Sequence, residues 1–334
     1  MNLSKLPRVN LANLPTPIEF LPRLSKHLDG PKIYVKRDDC TGLAMGGNKV
    51  RKLEFLLGDA IEKKANTIVT HGTSQSNHTR LVAAATSKLG LKCEMILEHR
   101  VDINDDAYLN SGNVFLNKFF DVDVKYLSAG NAIEHELEKT AQAVIERGDK
   151  PYIISRGGST PVGTYGYVAA VHELMLQFEK QKLKVDHIIH ATASGGTQAG
   201  LVIGLAEVAS KIKLLGVCAN LAKEVQEKRV YNLALETMRM LDCDFNIARE
   251  NVVVNSDYVG DAYGLPTKKM NDALLLLARL EGLFFDPVYS GKALAGMIDL
   301  IGQGVFGKGE SILFIHTGGE PGLFAYQNQL SVNF

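Results

Sequence analysis

The sequence predicts an α/β fold in which parallel-rich sheets are flanked by helices on both faces. Short runs rich in β-branched residues alternate with longer segments of helical pattern, and this alternation is typical of parallel sheets covered by helices. Several of these runs are apolar throughout, as expected for strands that are buried on both faces. At 334 residues the chain is long for a single core, so we expect two lobes.

The predicted elements follow one another along almost the whole chain. The predicted strands are 32–38, 66–72, 92–99, 122–128, 151–157, 186–192, 213–220, 251–257 and 311–319. Clear helical segments between them are 48–65, 131–149 and 267–282. Because ligands of such sheets bind where strands hand over to helices, we searched those junctions first for a site.

Charge and composition narrow the class of protein. Lys+Arg and Asp+Glu both number 37, so nothing favours binding to nucleic acid or to a membrane surface. No apolar run is long enough to span a bilayer, and the first residues do not form a secretory signal. The four cysteines form no C-x-x-C pair, which predicts buried thiols in a reducing compartment and no metal site. We therefore expect a cytoplasmic protein that binds a small molecule.

The first candidate junction is a glycine turn that runs into a helix. Gly46 and Gly47 allow a tight turn, Asn48 is a good N-cap, and Lys49 would then open the helix on the same face as Lys52. Lysines are unfavourable at a helix N-terminus unless an anion lies between them or one amine is neutral and able to form an imine. Taken alone, the motif fits two solvated surface lysines better.

The second and third junctions are rich in small polar residues. Residues 71–80 (HGTSQSNHTR) offer hydroxyls and backbone N–H groups that suit a carboxylate, although a well-capped helix explains them equally well. Residues 193–200 (ASGGTQAG) suit a phosphate, and the pattern is neither G-x-G-x-x-G nor a Walker loop. A monophosphate therefore fits better than a dinucleotide, with a tight strand–helix turn as the alternative.

The last third of the chain adds hydroxyl groups. Tyr263, Tyr289 and Ser290 stand in or before helix starts, and Thr317 ends an apolar strand, where its hydroxyl could meet a ring nitrogen. Half-buried packing is the ordinary role of such tyrosines. Jointly, the junctions offer an imine-forming lysine, a monophosphate cup, a carboxylate cup and a neutral hydroxyl. That set matches pyridoxal phosphate acting on a small amino acid.

The motifs also resemble a known family. KRDDCTGLAMGGNKVRKLEFL, SQSNHTR, SGGTQAG, YGLP, DPVYSGK and HTGG are similar to segments of the 1-aminocyclopropane-1-carboxylate deaminase / D-cysteine desulfhydrase family, from about residue 7 to about residue 327. The resemblance implies the two-lobed, tryptophan-synthase-β-like fold (fold type II) and a homodimer. It also implies a larger cofactor-binding domain, 1–51 plus 161–334, and a smaller domain, 52–160.

The resemblance implies a role for each matching residue. Lys49 should hold pyridoxal phosphate as a Schiff base, and Asn77 should contact its 3′-oxygen. Ser76 should receive the substrate carboxylate, with Tyr263 and Tyr289 flanking the substrate; these two tyrosines, Ser76 and Lys49 are the predicted catalytic residues. The other predicted cofactor-binding residues are Lys52, Ser194, Gly195, Gly196, Thr197 and Thr317, and the other predicted substrate-binding residues are Asn77, His78 and Ser290.

Ser290 and Thr317 favour one reaction within the family. Members that open the cyclopropane ring carry Glu and Leu at these positions, whereas two hydroxyls are typical of the desulfhydrases. A neutral hydroxyl leaves the cofactor ring less protonated, which β-elimination tolerates. The predicted function is a D-cysteine desulfhydrase-like lyase of amino-acid metabolism that releases sulfide, pyruvate and ammonia. The α-proton base is Lys49 or a tyrosine or serine hydroxyl.

Several alternatives remain open from the sequence. L-cysteate sulfo-lyases of the same family also carry the hydroxyl pair, and Arg156 could bind a sulfonate or could be an ordinary ion-pair residue. The role of His71 is equally ambiguous. A 1-aminocyclopropane-1-carboxylate deaminase and a β-replacement synthase are further enzyme alternatives. A sensor that only binds the cofactor or an amino acid is the non-enzyme alternative, but its expected mark, loss of Lys49 or the tyrosines, is absent.

Overall fold

The computed structural model describes residues 3–130 and 132–331. Its strands are β1 (Ile18–Phe20), β2 (Lys32–Arg37), β3 (Thr67–Thr73), β4 (Lys92–His99), β5 (Asp123–Ser128), β6 (Pro151–Ile154), β7 (His187–Thr192), β8 (Lys213–Cys218), β9 (Val253–Asn255) and β10 (Ser311–His316). Its helices are α1 (Pro22–Leu28), α2 (Lys49–Glu62), α3 (Asn77–Leu89), α4 (Asp106–Asn110), α5 (Gly112–Asn117), α6 (Ile133–Glu146), α7 (Pro161–Gln181), α8 (Gly196–Glu207), α9 (Lys223–Met240), α10 (Lys268–Glu281), α11 (Ser290–Gly302) and α12 (Pro321–Ala325).

The strands form two sheets. The larger sheet has the order β1-β2-β10-β7-β8-β9 and is parallel except for the pairing of β1 with β2. The smaller sheet has the order β5-β4-β3-β6 and is parallel throughout. Strands from both ends of the chain build the larger sheet, and the strands between them build the smaller one. The predicted α/β class with parallel-rich sheets is confirmed.

All of the predicted strands are found, with bounds shifted by a few residues. β1 was not predicted, because it has only three residues and pairs antiparallel at the sheet edge. The helix predicted over 131–149 spans Ile133–Glu146, and Asn131 lies outside the described residues. The domain boundaries stay a prediction; the boundary at 51/52 would fall within the first turn of α2.

Burial explains the apolar runs. Every residue of β3, β7 and β10 is buried, which is expected for central strands covered by helices on both faces. The expectation of buried thiols is wrong for Cys40, which is exposed, whereas Cys93 and Cys218 are buried. Among the helices of the described residues, none is both long and apolar enough to cross a membrane.

Helix α2 is held at its first turn by a buried ion-pair network. The Arg51 guanidinium donates to both oxygens of Asp38 at 2.8 and 2.9 Å and to both oxygens of Glu173 at 2.9 and 3.0 Å. Tyr167 also donates to Asp38 at 2.6 Å, and Lys36 donates to Glu173 at 2.5 Å. Asp38 follows β2 and Glu173 lies on α7, so the network fixes the start of α2 between the end of β2 and helix α7.

We predict that Arg51→Leu lowers the free energy of unfolding by about 3–5 kcal/mol, because it removes the guanidinium that neutralises the buried Asp38 carboxylate and the half-buried Glu173 carboxylate. Urea unfolding followed by circular dichroism measures the change. Arg147→Leu is the matched control: its ion pair with Glu94 is half-exposed, so its loss should change stability by about 0.5 kcal/mol or less. Equal effects of the two substitutions would contradict the structural role of Arg51.

Candidate active site

A cavity of about 780 Å³ is lined by residues from both sheets. Its wall is formed where β3, β4 and β6 of the smaller sheet and β7, β8 and β10 of the larger sheet end. Parallel strands present their carboxyl ends together, and this is where α/β proteins bind ligands. The candidate junctions therefore meet at one place.

The glycine turn places Lys49 at the cavity as the first residue of α2. Gly46 and Gly47 have φ values of 65° and 127°, which a residue with a side chain rarely adopts. The Asn48 side chain does not cap the helix as expected. Its Nδ2 instead donates to Thr197 Oγ1 at 2.9 Å, and its Oδ1 accepts from Lys49 Nζ at 3.1 Å. Asn48 thus connects the lysine turn to the glycine-rich turn before α8.

The environment of Lys49 favours its neutral form. Burial lowers the pKa of the Lys49 amine to about 8; the Asp286 carboxylate opposes this shift, and the nearby Arg80 cation contributes to it. A neutral amine is the form that adds to a carbonyl carbon. Lys49 is therefore a nucleophile at a pH close to neutral.

Lys52 is a fully buried lysine that forms no ion pair with any carboxylate of the described residues. Its Nζ donates to the Gly157 carbonyl and to Ser159 Oγ, each at 3.2 Å. Burial, with the neighbouring Lys49, holds the Lys52 pKa well below its usual range. An ammonium group in this position is stabilised once an anion binds beside it. The site therefore fits a small anion such as a phosphate group.

The glycine-rich turn completes this anion site. Gly195 has a φ of 98°, and α8 begins at Gly196, whose backbone N–H donates to Ser159 Oγ at 3.1 Å. Ser159 Oγ in turn donates to Ser194 Oγ at 2.7 Å. A Cβ at Gly196 would lie 2.8 Å from both Lys52 Nζ and Ser159 Oγ, so only glycine fits here. The predicted loop and Lys52 are thus brought together.

Ser159 was not predicted as a site residue. It stands in ISRGGST, directly after the positive-φ glycines 157 and 158 and two residues before the start of helix α7. That is the same pattern of small residues ahead of a helix that singled out residues 193–200. The signal was therefore present in the sequence as a second glycine-rich turn.

The second junction starts helix α3. Ser76 is its N-cap and accepts a hydrogen bond from the Thr79 backbone N–H at 3.3 Å. Asn77 Oδ1 accepts from Arg80 at 3.0 Å and from Asn113 at 2.9 Å, which leaves its Nδ2 group as the end available to a ligand. Ser76, Asn77 and His78 all line the cavity. Ser76 therefore caps helix α3, as the alternative interpretation of this motif expected. The N-terminus of α3 nevertheless faces the cavity.

The two cavity histidines are held in their neutral form. His78 Nε2 lies 3.1 Å from Thr70 Oγ1, whose own proton goes to a backbone carbonyl, so Nε2 carries the hydrogen. His71 Nε2 accepts from the Arg156 backbone N–H at 3.0 Å. Burial lowers the His71 pKa to about 4 and holds the His78 pKa well below its usual range. Neither ring is a cation near neutral pH.

Arg156 is both an ion-pair residue and part of the cavity wall. Its Nη2 donates to Glu98 at 3.0 Å, and its side chain is 37% exposed. Both residues line the cavity. The ion-pair role weighed from the sequence is therefore present.

Tyr263 and Tyr289 form a pair across the cavity. Their hydroxyl oxygens lie 2.5 Å apart, and Arg100 stands 5.4 Å from the centre of the Tyr263 ring. Burial, with the neighbouring Tyr263 hydroxyl, raises the Tyr289 pKa well above its usual range. Tyr289 therefore keeps its proton and acts as a donor.

Ser290 and Thr317, the two hydroxyl residues expected to favour one reaction of the family, lie in different surroundings. Thr317 lines the cavity, as expected. Ser290 is buried outside the lining; its Oγ donates to Asp286 at 2.6 Å and accepts from the Asp286 backbone N–H at 2.8 Å. Asp286 also accepts the backbone N–H groups of residues 288–290. The structure thus reveals Asp286 as the organiser of this turn, a role that the sequence did not show.

One cluster has the composition of a metal site, where Asp39, His316 and Glu320 place ligand-type atoms within 4.8 Å of one another. The His316 ring is already committed, however. Its Nε2 donates to the Phe284 carbonyl at 3.0 Å, and its Nδ1 accepts from the Gly318 N–H at 3.2 Å. No ring lone pair is left for a metal ion, so the cluster does not form a metal site through His316.

Comparisons with known proteins identify the family of this chain. The family model of pyridoxal-phosphate-dependent enzymes matches residues 9–318. D-cysteine desulfhydrases from two strains of Klebsiella pneumoniae are each 41% identical to this chain over 329 residues, which cover 98% of this chain and 99% of theirs.

Solved structures show the same fold. An ACC deaminase homologue is 38% identical with a TM-score of 0.88, over 98% of this chain and 96% of that one. A hydrogen sulfide-producing enzyme from Fusobacterium nucleatum shares the fold at 18% identity and a TM-score of 0.64, over 93% of this chain and 97% of that one. The resemblance found in the motifs, the fold type and the cofactor are confirmed, and the chain belongs to the family of pyridoxal-phosphate-dependent enzymes.

Proposed function

We propose that this enzyme is a lyase that eliminates the β-substituent of a small amino acid, with D-cysteine as substrate and sulfide, pyruvate and ammonia as products. The observation that carries the proposal is the pairing of the Lys49 amine, whose pKa is about 8, with the anion site around Lys52. The similarity to D-cysteine desulfhydrases supports the choice of reaction.

The residues present fit the cofactor. Lys49 would hold its aldehyde carbon, Lys52 with Ser159 and the 194–197 turn would hold its phosphate, and Asn77 Nδ2 would meet its ring oxygen. Pyridoxal phosphate, when bound, supplies an electron sink for the negative charge left on the substrate Cα after proton removal. Thr317 would face its ring nitrogen with a neutral hydroxyl, which supports elimination over ring opening.

The start of α3 suits the substrate carboxylate. Its backbone N–H groups and the Ser76 hydroxyl stand at a helix N-terminus, where the helix dipole favours an anion. Neutral His78 follows in the same turn and adds no competing positive charge. This arrangement would orient the Cα–H bond of the amino acid without needing a dedicated arginine.

Lys49 is the better candidate for the α-proton base. A group works best in both accepting and returning a proton when its pKa lies near the working pH, and the Lys49 pKa of about 8 satisfies this. Tyr289, with its raised pKa, holds a proton instead. The tyrosine pair would then protonate the departing sulfur as the carbon–sulfur bond breaks, so that the electron pair leaves with the sulfur.

An L-cysteate sulfo-lyase is the second candidate, and Arg156 is the observation that favours it. Its guanidinium lines the cavity and keeps donors free of Glu98, and such a group matches a sulfonate well.

We also propose a cytoplasmic homodimer divided into domains 1–51 plus 161–334 and 52–160. The separation of the strands into two sheets supports that division, and the exposed aromatics Phe115, Phe119 and Tyr126 support a surface for association.

We predict that D-cysteine gives the highest kcat/KM when pyruvate release is measured side by side with L-cysteine, L-cysteate and 1-aminocyclopropane-1-carboxylate. Lys49→Ala should abolish release from all four, because the amine that binds cofactor and moves the proton is lost. Lys63→Ala, an exposed lysine of the segment that follows α2, is the control and should keep wild-type rates. Higher kcat/KM for L-cysteate, or an active Lys49→Ala, would overturn the proposal or its key residue.

We predict that the cofactor-free protein takes up pyridoxal phosphate faster as the pH rises, up to about pH 8. Only the neutral amine adds to the aldehyde, so its fraction grows about tenfold per pH unit below the Lys49 pKa and levels off above it. Stopped-flow visible absorbance measures the rate, with Nα-acetyl-lysine as the reference amine. A protein rate that keeps rising with the reference to pH 10 would contradict a lowered Lys49 pKa.

A further inference from the structure

Lys292 is a buried lysine that the proposed chemistry does not use. It lies in the first turn of α11, three residues after Tyr289, and is 1% exposed. Its Nζ donates to the backbone carbonyl of Val259 at 2.5 Å and to that of Ala262 at 3.4 Å. Among the residues that the structure describes, it forms no ion pair within 4.0 Å. Burying an ammonium group costs free energy unless its N–H groups are hydrogen-bonded.

Both carbonyls belong to the loop that carries Tyr263. Residues 256–266 contain no helix or strand, and Gly260 and Gly264 have φ values of 75° and 80°. Among the described residues, only two backbone–backbone hydrogen bonds lie within this segment. The N–H groups of Val259 and Leu265 donate them. A loop with so few bonds of its own depends on outside anchors for its position.

Other contacts also surround Tyr263. Arg100 lies over its ring, and Val101 packs against Gly264; both residues follow β4 of the smaller sheet. The Tyr263 side chain also packs against the apolar cluster that contains Val288 and Tyr326.

Two sets of polar contacts tie the loop to α11: the bond that Tyr258 donates to Asp299 at 2.7 Å, and the Lys292 bonds, which reach the backbone directly beside Tyr263. Lys292 lies in the first turn of α11, and Tyr289 directly precedes that helix.

We infer that Lys292 is a positioning residue that sets the Tyr263 hydroxyl against the Tyr289 hydroxyl by binding the backbone of the 259–264 loop. Residues 289–292 then fix both tyrosines of the pair. This segment contains Tyr289, and the ammonium group of Lys292 holds the loop that carries Tyr263. The 2.5 Å contact between the two hydroxyls is the result. The catalytic importance of this contact rests on the proposed function.

Charge supports the retention of a lysine rather than an apolar residue at this position. Burial lowers the Lys292 pKa to about 8, and the carboxylates of Asp286 and Asp261 oppose that shift. Asp286 opposes the shift of Lys49 in the same way. Near neutral pH, below this pKa, Lys292 is mostly protonated, so its cation partly balances the buried Asp286 carboxylate in addition to binding the loop.

The test uses the cofactor-loaded enzyme and three variants. Lys292→Met removes the donors but keeps the length of the side chain, Lys292→Gln keeps an N–H₂ donor, and Lys308→Met is the control, because Lys308 is exposed in an ion pair with Asp29. The first readout is amide hydrogen exchange of the peptide covering 256–266. We expect exchange to be about tenfold faster in Lys292→Met, to be intermediate in Lys292→Gln, and to be unchanged in Lys308→Met.

The second readout is a double-mutant cycle in kcat/KM with Tyr263→Phe. If Lys292 acts through Tyr263, Lys292→Met lowers kcat/KM about tenfold in the wild-type background and less than about twofold in the Tyr263→Phe background. Visible absorbance should show the cofactor still bound in every variant. Unchanged exchange, or losses that multiply fully across the cycle, would overturn the inference.

The two readouts separate this inference from the proposed function. If the wild-type enzyme does not act on D-cysteine, the proposed substrate fails, and the exchange measurement still decides whether Lys292 holds the loop. If the wild-type enzyme does act on D-cysteine and Lys292→Met matches it in both exchange and kcat/KM, only the role of Lys292 fails.

Discussion

The burial of two lysines in the first turn of one helix is the constraint on which the rest of the structure depends. Lys49 and Lys52 stand at the N-terminus of α2, where the helix dipole disfavours cations, and burial lowers the pKa of both. Other groups must therefore fix this turn, and the Arg51 network does so. The 194–197 turn lies beside the two lysines and would complete a site for an anion.

The two sheets contribute different parts of the candidate site. Strands of the larger sheet lead to the 194–197 turn, to Thr317 and to the lysine turn, which in the proposed function would hold the cofactor. The smaller sheet leads to the start of α3 and to Arg156, which would face the substrate. The Tyr263 loop follows the larger sheet but reaches Arg100 and Val101, which follow β4 of the smaller one. The cavity is therefore enclosed by parts of the chain that are distant in sequence.

The sequence predicted the fold class and most of the residues that line the candidate site, because local sequence patterns indicate both. Apolar runs identify strands, and small residues before a helix identify anion sites. What it missed depends on contacts between distant segments. Asn48 bonds Thr197, 149 residues away, instead of capping its helix, and Ser159 joins the phosphate turn across 35 residues. Asp286 has no signal of its own, because its role is to collect the backbone N–H groups of its turn.

The central claim is that the amine of Lys49, and no other, holds the cofactor. The most direct measurement is borohydride reduction of the protein loaded with pyridoxal phosphate, which makes the link permanent, followed by digestion and mass spectrometry of the peptides. The structure predicts one pyridoxyl phosphate group per chain, on the peptide that contains Lys49. Attachment at Lys52 or Lys292, or at scattered surface lysines, would contradict it.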